Sequence, residues 1–211
     1  MFAIGHFALG YLTGKTSSLA VKTNLNMPLL LLTSIIPDID LILEAFYRNL
    51  FVHRIETHSI VTYTIIMIPF FILYRKKAIP YFVVLLSHSL IGDFFTGGVG
   101  LFWPFTSQIY GIQTIDVTSI ISLSTEFILF AISLPLMVYS KDLQSLIKPN
   151  KKTLMLIIPF FAVLGPALQI ERQMGTESSL PVVLLIPSLF WLVIFAYAGL
   201  RWLLAFLRKV F

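Results

Sequence analysis

The chain contains no cysteine. Disulfides are therefore excluded, and any metal it holds must be bound through nitrogen and oxygen rather than thiolate. Charge is scarce too: Asp, Glu, Lys and Arg make up 12% of the sequence, against roughly 25% in an ordinary soluble domain. No long polar stretch remains from which a separate soluble domain could be built, and no internal repeat or low-complexity tract stands out. No His-Glu-x-x-His element occurs, which argues against a proteolytic zinc site. After residue 88 there is no histidine at all.

What is present is apolar. The sequence is 57% hydrophobic with mean hydropathy +0.90, and each membrane-spanning helix needs about 20 such residues. Hydrophobic runs between charges fall at 2–14, 25–47, 57–74, 78–102, 114–140, 153–170 and 180–207. They predict an all-α, polytopic membrane bundle of six or seven transmembrane helices forming a single domain over 1–211. The breaks between them are Arg75-Lys76-Lys77, Lys141 to Lys152, and Glu171 to Ser179. The first run is short, because 13 residues reach only about 20 Å as a helix. It must extend past Lys15, tilt, or stop short of spanning. It lacks the basic n-region and small-residue cleavage site of a signal peptide, so it is expected to be retained.

A net charge of +5 and a pI of about 9.5 would suggest nucleic acid in a soluble protein. In a membrane protein they follow from topology, since Lys and Arg collect in cytoplasmic loops, and no nucleic-acid partner is expected. With the Arg75-Lys76-Lys77 loop inside and the seven runs alternating, the inner side holds Lys15, Lys22, Arg75, Lys76, Lys77, Lys141, Lys148, Lys151, Lys152, Arg208 and Lys209. The outer side holds only Arg48, Arg54 and Arg172, and Arg201 lies within the last run. Eleven against three predicts a multi-pass protein of the cell membrane with its N-terminus outside and its C-terminus in the cytoplasm.

That alternation, drawn without the histidines, gathers them. His6, His53, His58 and His88 with Asp38, Asp40 and Asp93 all fall towards the outer face. An imidazole or carboxylate at membrane depth is costly unless paired, hydrated or metal-bound, so each is a functional-site candidate. The chain thus divides into a metal-site half, 1–113, and scaffold helices, 114–211.

Local spacing adds detail. In Pro37-Asp38-Ile39-Asp40 the two carboxylates point about 200° apart on a regular helix, and Pro37 supplies a break, giving a broken second helix. In His53-Arg54-Ile55-Glu56-Thr57-His58-Ser59, Thr57 is the expected N-cap of the third helix, with His58 in its first turn. Arg54 suits an anionic group such as phosphate through its bidentate fork. His88 and Asp93, five apart, are separated by about 140° on an α-helix, and a single π-turn would align them. The glycines and aromatics of 94–104 suit a loop folding back over the site.

Gly5-His6, Pro37-Asp38-x-Asp40, His53-Arg54-x-x-Thr57-His58-Ser59, Ser87-His88 to Asp93-x-x-Thr96 and Trp103-Pro104 occur in this order. Over residues 5–105 the chain thereby resembles the YdjM-like membrane-bound metal-dependent hydrolases, and distantly the zinc-dependent phospholipases C. It departs from that pattern at Ile55, where Gly is usual, at Leu41, where His is frequent, and in the five-residue spacing from His88 to Asp93.

Together the residues and the resemblance imply a metal-dependent hydrolase at the outer membrane leaflet, acting on a phosphoester or other ester through a metal-activated water. His6, Asp38, His53, His58, His88 and Asp93 are the expected metal ligands, for one or two Zn²⁺ or for Mn²⁺. Asp40 and Arg54 form the catalytic group, Asp40 as a further ligand or as the acceptor orienting a histidine, Arg54 holding the phosphate. The expected partner is a membrane lipid or lipid-linked substrate. Two rival uses of the same cluster are a cation or proton transporter, which would want polar residues continuing through the inner half, and a haem-binding redox protein, which would not need the aspartates.

Overall fold

The structure is a computed structural model describing residues 1–41, 52–112, 114–168 and 181–210. Residues 42–47 of the second run, Arg48, Arg172 and the break from Glu171 to Ser179 lie outside the described residues. Among the described residues all regular structure is helical, and the antiparallel pairing of Val99 with Tyr110 is an isolated bridge.

Helix α1 (Ala3–Ala20) has 18 residues, about 27 Å at 1.5 Å per residue. The first run therefore does extend past Lys15, whose ammonium meets Asp142 at 2.6 Å. Helix α2 (Met27–Ile35) carries Pro28 in its opening turn, where the missing N–H has no helical partner to lose. It gives way to a 3-10 turn over Ile36–Asp38, the break expected from Pro37.

Helix α3 (Ile60–Tyr74) is capped by Ser59, not by Thr57 as the sequence reading has it. Ser59 Oγ accepts from the backbone N–H of Val61 at 3.1 Å. Serine is the better N-cap of the two, but by too little for local sequence alone to decide between them. Tertiary contact does: Ser59 Oγ also donates to the carbonyls of Leu101 and Trp103, while Thr57 Oγ1 donates to Asp40. His58 consequently precedes the helix.

After the Arg75–Ala78 turn, α4 (Ile79–Ser87) runs into a π-helical turn over His88–Asp93. The run 78–102 is thus not one helix: from residue 94 the chain folds as a loop, closed where Val99 and Tyr110 exchange backbone bonds at 2.9 Å. Helices α5 (Ile120–Tyr139) and α6 (Asp142–Ile147) follow, then α7 (Ile157–Ala167) and α8 (Leu185–Val210). Among the described residues two stretches, Ile120–Tyr139 and Val182–Lys209, are each long and apolar enough to cross a membrane.

Helix α1 is the axis, packed against α2, α4 and α5. A Cβ on Gly10 would lie 2.5 Å from Ser34 Cβ, so only glycine lets α1 approach α2 this closely. Phe7 and Tyr11 of α1, Leu30 and Leu31 of α2, Val84 of α4, Met137 of α5 and Trp191 of α8 are buried together beneath the polar end of α1.

Candidate metal centre

Four elements deliver the polar side chains. His6 comes from the second turn of α1, Asp38 from the 3-10 turn after α2, His53 and His58 from the turn before α3, and His88 with Asp93 from the π-turn. In the π-turn the N–H of Phe94 reaches back five residues to the Ser89 carbonyl at 3.0 Å. That wider turn brings residues five apart to one side, which an α-helix would not do for His88 and Asp93. Tyr63 of α3 pins it, its hydroxyl 2.6 Å from Ser89 Oγ.

The imidazoles and carboxylates converge. His58 Nε2 is 3.1 Å from His88 Nε2, 3.0 Å from Asp93 Oδ2 and 3.4 Å from Asp38 Oδ1. His88 Nε2 is 3.4 Å from each of the same two carboxylate oxygens. His6 Nε2 lies 3.5 Å from Asp93 Oδ1 and 3.8 Å from Asp38 Oδ2, and its ring stacks on His88 with centroids 3.8 Å apart. A Cβ on Gly92 would stand 2.7 Å from His6 Cε1, so glycine there makes room for the ring. His6, Asp38, His88 and Asp93 offer ligand atoms all within 4.8 Å of one another, and Asp38, His53 and His58 form a second such set sharing Asp38.

Proton positions follow from the partners. His88 Nδ1 is 2.8 Å from the Ser34 carbonyl, which only accepts, so Nδ1 donates and Nε2 of the neutral ring bears a lone pair. Thr57 spends its hydroxyl hydrogen on Asp40, so at 3.0 Å it accepts from His58 Nδ1, leaving a lone pair on His58 Nε2 as well. With both rings neutral, two lone pairs would face each other 3.1 Å apart beside two carboxylates, an arrangement that calls for a proton or a metal ion among them. Donors bound at about 2.0–2.2 Å to one tetrahedral ion stand roughly 3.3–3.6 Å apart, and the contacts here, 3.0 to 3.4 Å, lie close to that spacing. Both nitrogens of His6 and Oδ2 of Asp93 are buried without a hydrogen-bond partner among the described residues, as unspent ligands would be. The residues fit a divalent metal ion.

Asp40 is fully buried behind His58. It accepts from His53 Nδ1 at 2.8 Å, from the Arg54 backbone N–H at 3.1 Å and from Thr57, and Oδ2 stands 3.1 Å from His58 Nδ1. Arg54, held at φ 68°, turns its guanidinium over the centre: Nη1 donates to the Thr96 carbonyl at 2.6 Å and Nη2 to Asp93 Oδ1 at 3.3 Å. Its backbone carbonyl accepts from Gly100 at 2.8 Å, so the loop 94–112 and the His53–His58 turn are tied together.

A family model described as YdjM inner membrane protein matches residues 1–174. The chain belongs to that family. No curated protein and no solved structure matched it. The YdjM match extends well past the motif-bearing residues 5–105 and takes in α5, α6 and α7. Membership in an inner membrane family accords with the two apolar stretches.

Several residues at the centre escaped the sequence reading. The Ser34 carbonyl and the Ser59 cap had no local signal, because a backbone acceptor or one of two adjacent hydroxyls looks ordinary in sequence. Glu126 did have one: a carboxylate within an apolar run of the supposed scaffold half.

Proposed function

We propose that this YdjM-family protein is a multi-pass inner-membrane hydrolase whose His/Asp centre holds one or two divalent ions, Zn²⁺ being the best match to the donors. The observation that carries the reading is the convergence of the Nε2 atoms of His58 and His88, 3.1 Å apart between Asp38 and Asp93. The haem reading loses ground on the same distance, since a porphyrin needs a gap between its axial imidazoles. The transport reading loses it to the apolar packing of Phe7, Leu30, Leu31 and Val84 beneath the centre.

The site's residues then divide the work. His6, Asp38, His58, His88 and Asp93 are the principal ligands, with His53 available to a second ion through the set it forms with Asp38 and His58. Such an ion would supply a Lewis acid and lower the pKa of a water towards about 7. Asp40 holds His58 and His53 in orientation and raises their basicity. Arg54, about one-fifth exposed at the rim, keeps a cationic group beside the centre for the anionic part of an ester or phosphoester.

The membrane setting favours a lipid or lipid-linked substrate. Exposed apolar side chains line α3 (Ile65, Ile72, Leu73), α5 (Ile120, Ile121, Ile128) and α8 (Ile186, Val193, Leu200), more than water tolerates on a folded surface. The inner-side assignment draws support from contacts among the segments it groups: Lys15 with Asp142, and the Asn26 N–H with the Tyr81 hydroxyl at 2.9 Å. We read the N-terminus and the centre as outside, the C-terminus as cytoplasmic, and the chain as crossing six or seven times.

The test is metal content of the purified protein beside hydrolysis of a panel of phospholipid and polyprenyl phosphoesters, with His58→Ala in parallel. Wild-type protein should carry metal and hydrolyse a member of the panel, and His58→Ala should lose both. Metal-loaded protein that hydrolyses nothing in a broad ester panel would refute the hydrolase reading.

A further inference from the structure

Glu126 is a carboxylate from beyond residue 113 that reaches the N-terminal end of α1. It lies in α5, within a stretch able to cross a membrane, and is fully buried. An ionisable group in such a setting is a functional candidate by default. Its Oε1 accepts the backbone N–H of Phe2 at 3.0 Å. Phe2 is the N-cap of α1 and supplies no side-chain cap of its own. The Phe2 carbonyl in turn accepts the N–H groups of Gly5 at 3.0 Å and His6 at 3.2 Å. One residue, Phe2, thus links the Glu126 carboxylate to the backbone of His6.

A second contact reaches the same place. A Cβ on Gly5 would lie 2.7 Å from Glu126 Oε2 and 2.8 Å from its Cδ and Cγ. The carboxylate therefore rests on bare backbone one residue before His6, and among the described residues its Oε2 is buried with no hydrogen-bond partner. Among the same residues His6 has no hydrogen bond on either ring nitrogen, so its aim depends on stacking against His88 and on where the backbone of α1 is held. A carboxylate suits that duty, because the first N–H groups of a helix lack partners and carry its positive end.

We propose that Glu126 is a positioning residue of the metal centre: it caps α1 from a neighbouring helix and sets the placement at which His6 faces Asp38 and Asp93. The inference rests on the metal reading above. It is tested on the full-length protein in detergent, loaded with Co²⁺, by competition titration for affinity and by the visible ligand-field spectrum for the donor set. Glu126→Ala should weaken Co²⁺ binding about 10–100-fold, the range found when a residue orienting a ligand is removed, and give the spectrum of His6→Ala. Glu126→Gln, which keeps an acceptor for the Phe2 N–H, should restore the wild-type spectrum. The double variant His6→Ala/Glu126→Ala should bind no worse than His6→Ala alone, because residues acting through one another are not additive.

A wild-type spectrum and affinity in Glu126→Ala would overturn the proposal. So would a loss that adds in full to that of His6→Ala, which would mean that Glu126 supports the fold at large. Gly5→Ala approaches the same contact from α1 and serves if Glu126→Ala does not fold; it should shift the spectrum likewise, and an unchanged one overturns the proposal. Wild-type protein that takes up no cobalt would overturn the metal reading itself, an outcome distinct from any effect confined to the variants.

Discussion

Asp40→Asn separates an orienting carboxylate from a ligand. Asp40 receives three hydrogen bonds, from His53 Nδ1, the Arg54 N–H and Thr57, and its Oδ2 faces His58 Nδ1 at 3.1 Å. An amide is nearly the same shape but offers one acceptor oxygen, and its NH₂ must face a group that now donates. The least disruptive orientation keeps the carbonyl towards Arg54, Thr57 and His58 and turns the NH₂ to His53, which can accept by exchanging tautomers. His58 then keeps its lone pair on Nε2 but loses the negative charge that raises its basicity. Losses of this kind cost about 10–100-fold in metal affinity, or roughly 1.4–2.8 kcal/mol. The assay is competition with a chromophoric chelator, read beside metal content and turnover. Unchanged affinity would refute the orienting role. Metal loss as complete as in His58→Ala would make Asp40 a ligand.

Arg54→Ala should retain metal while hydrolysis falls by about 2–5 kcal/mol of transition-state or substrate binding if the charge pair is largely desolvated, and Arg54→Lys should recover only part of it; full activity in Arg54→Ala would refute the anion-holding role. A reporter fused after Phe211 should be cytoplasmic and a tag within residues 103–113 accessible outside; both on one side would contradict the odd number of crossings between them. Gly10→Ala should destabilise the protein by about 1–3 kcal/mol, as overpacking does, because the new methyl would meet Ser34 Cβ at 2.5 Å; a thermal midpoint in detergent matching wild type would refute the close approach of α1 and α2.

The candidate site was legible because its members offend their surroundings. His6, Asp38, Asp40, His58, His88 and Asp93 interrupt apolar sequence, and the cost of doing so marks each without any knowledge of its partners. Period and geometry took the reading further. Five positions apart, His88 and Asp93 could not align on an α-helix, so their spacing points to the π-turn that is found, and Pro37 marks the break in the second helix in the same way. What local sequence could not rank were choices settled across long separations. Ser59 rather than Thr57 caps α3 because the Leu101 and Trp103 carbonyls and the Asp40 carboxylate claim the two hydroxyls differently. The tautomer of His88 depends on a carbonyl 54 positions away. Glu126, 124 residues from Phe2, meets the start of α1 only because α5 packs on α1. A hydropathy pattern records that a polar group is buried. Which donor or acceptor satisfies it is a property of packed helices, because hydrogen bonds are short and directional while sequence distance is neither.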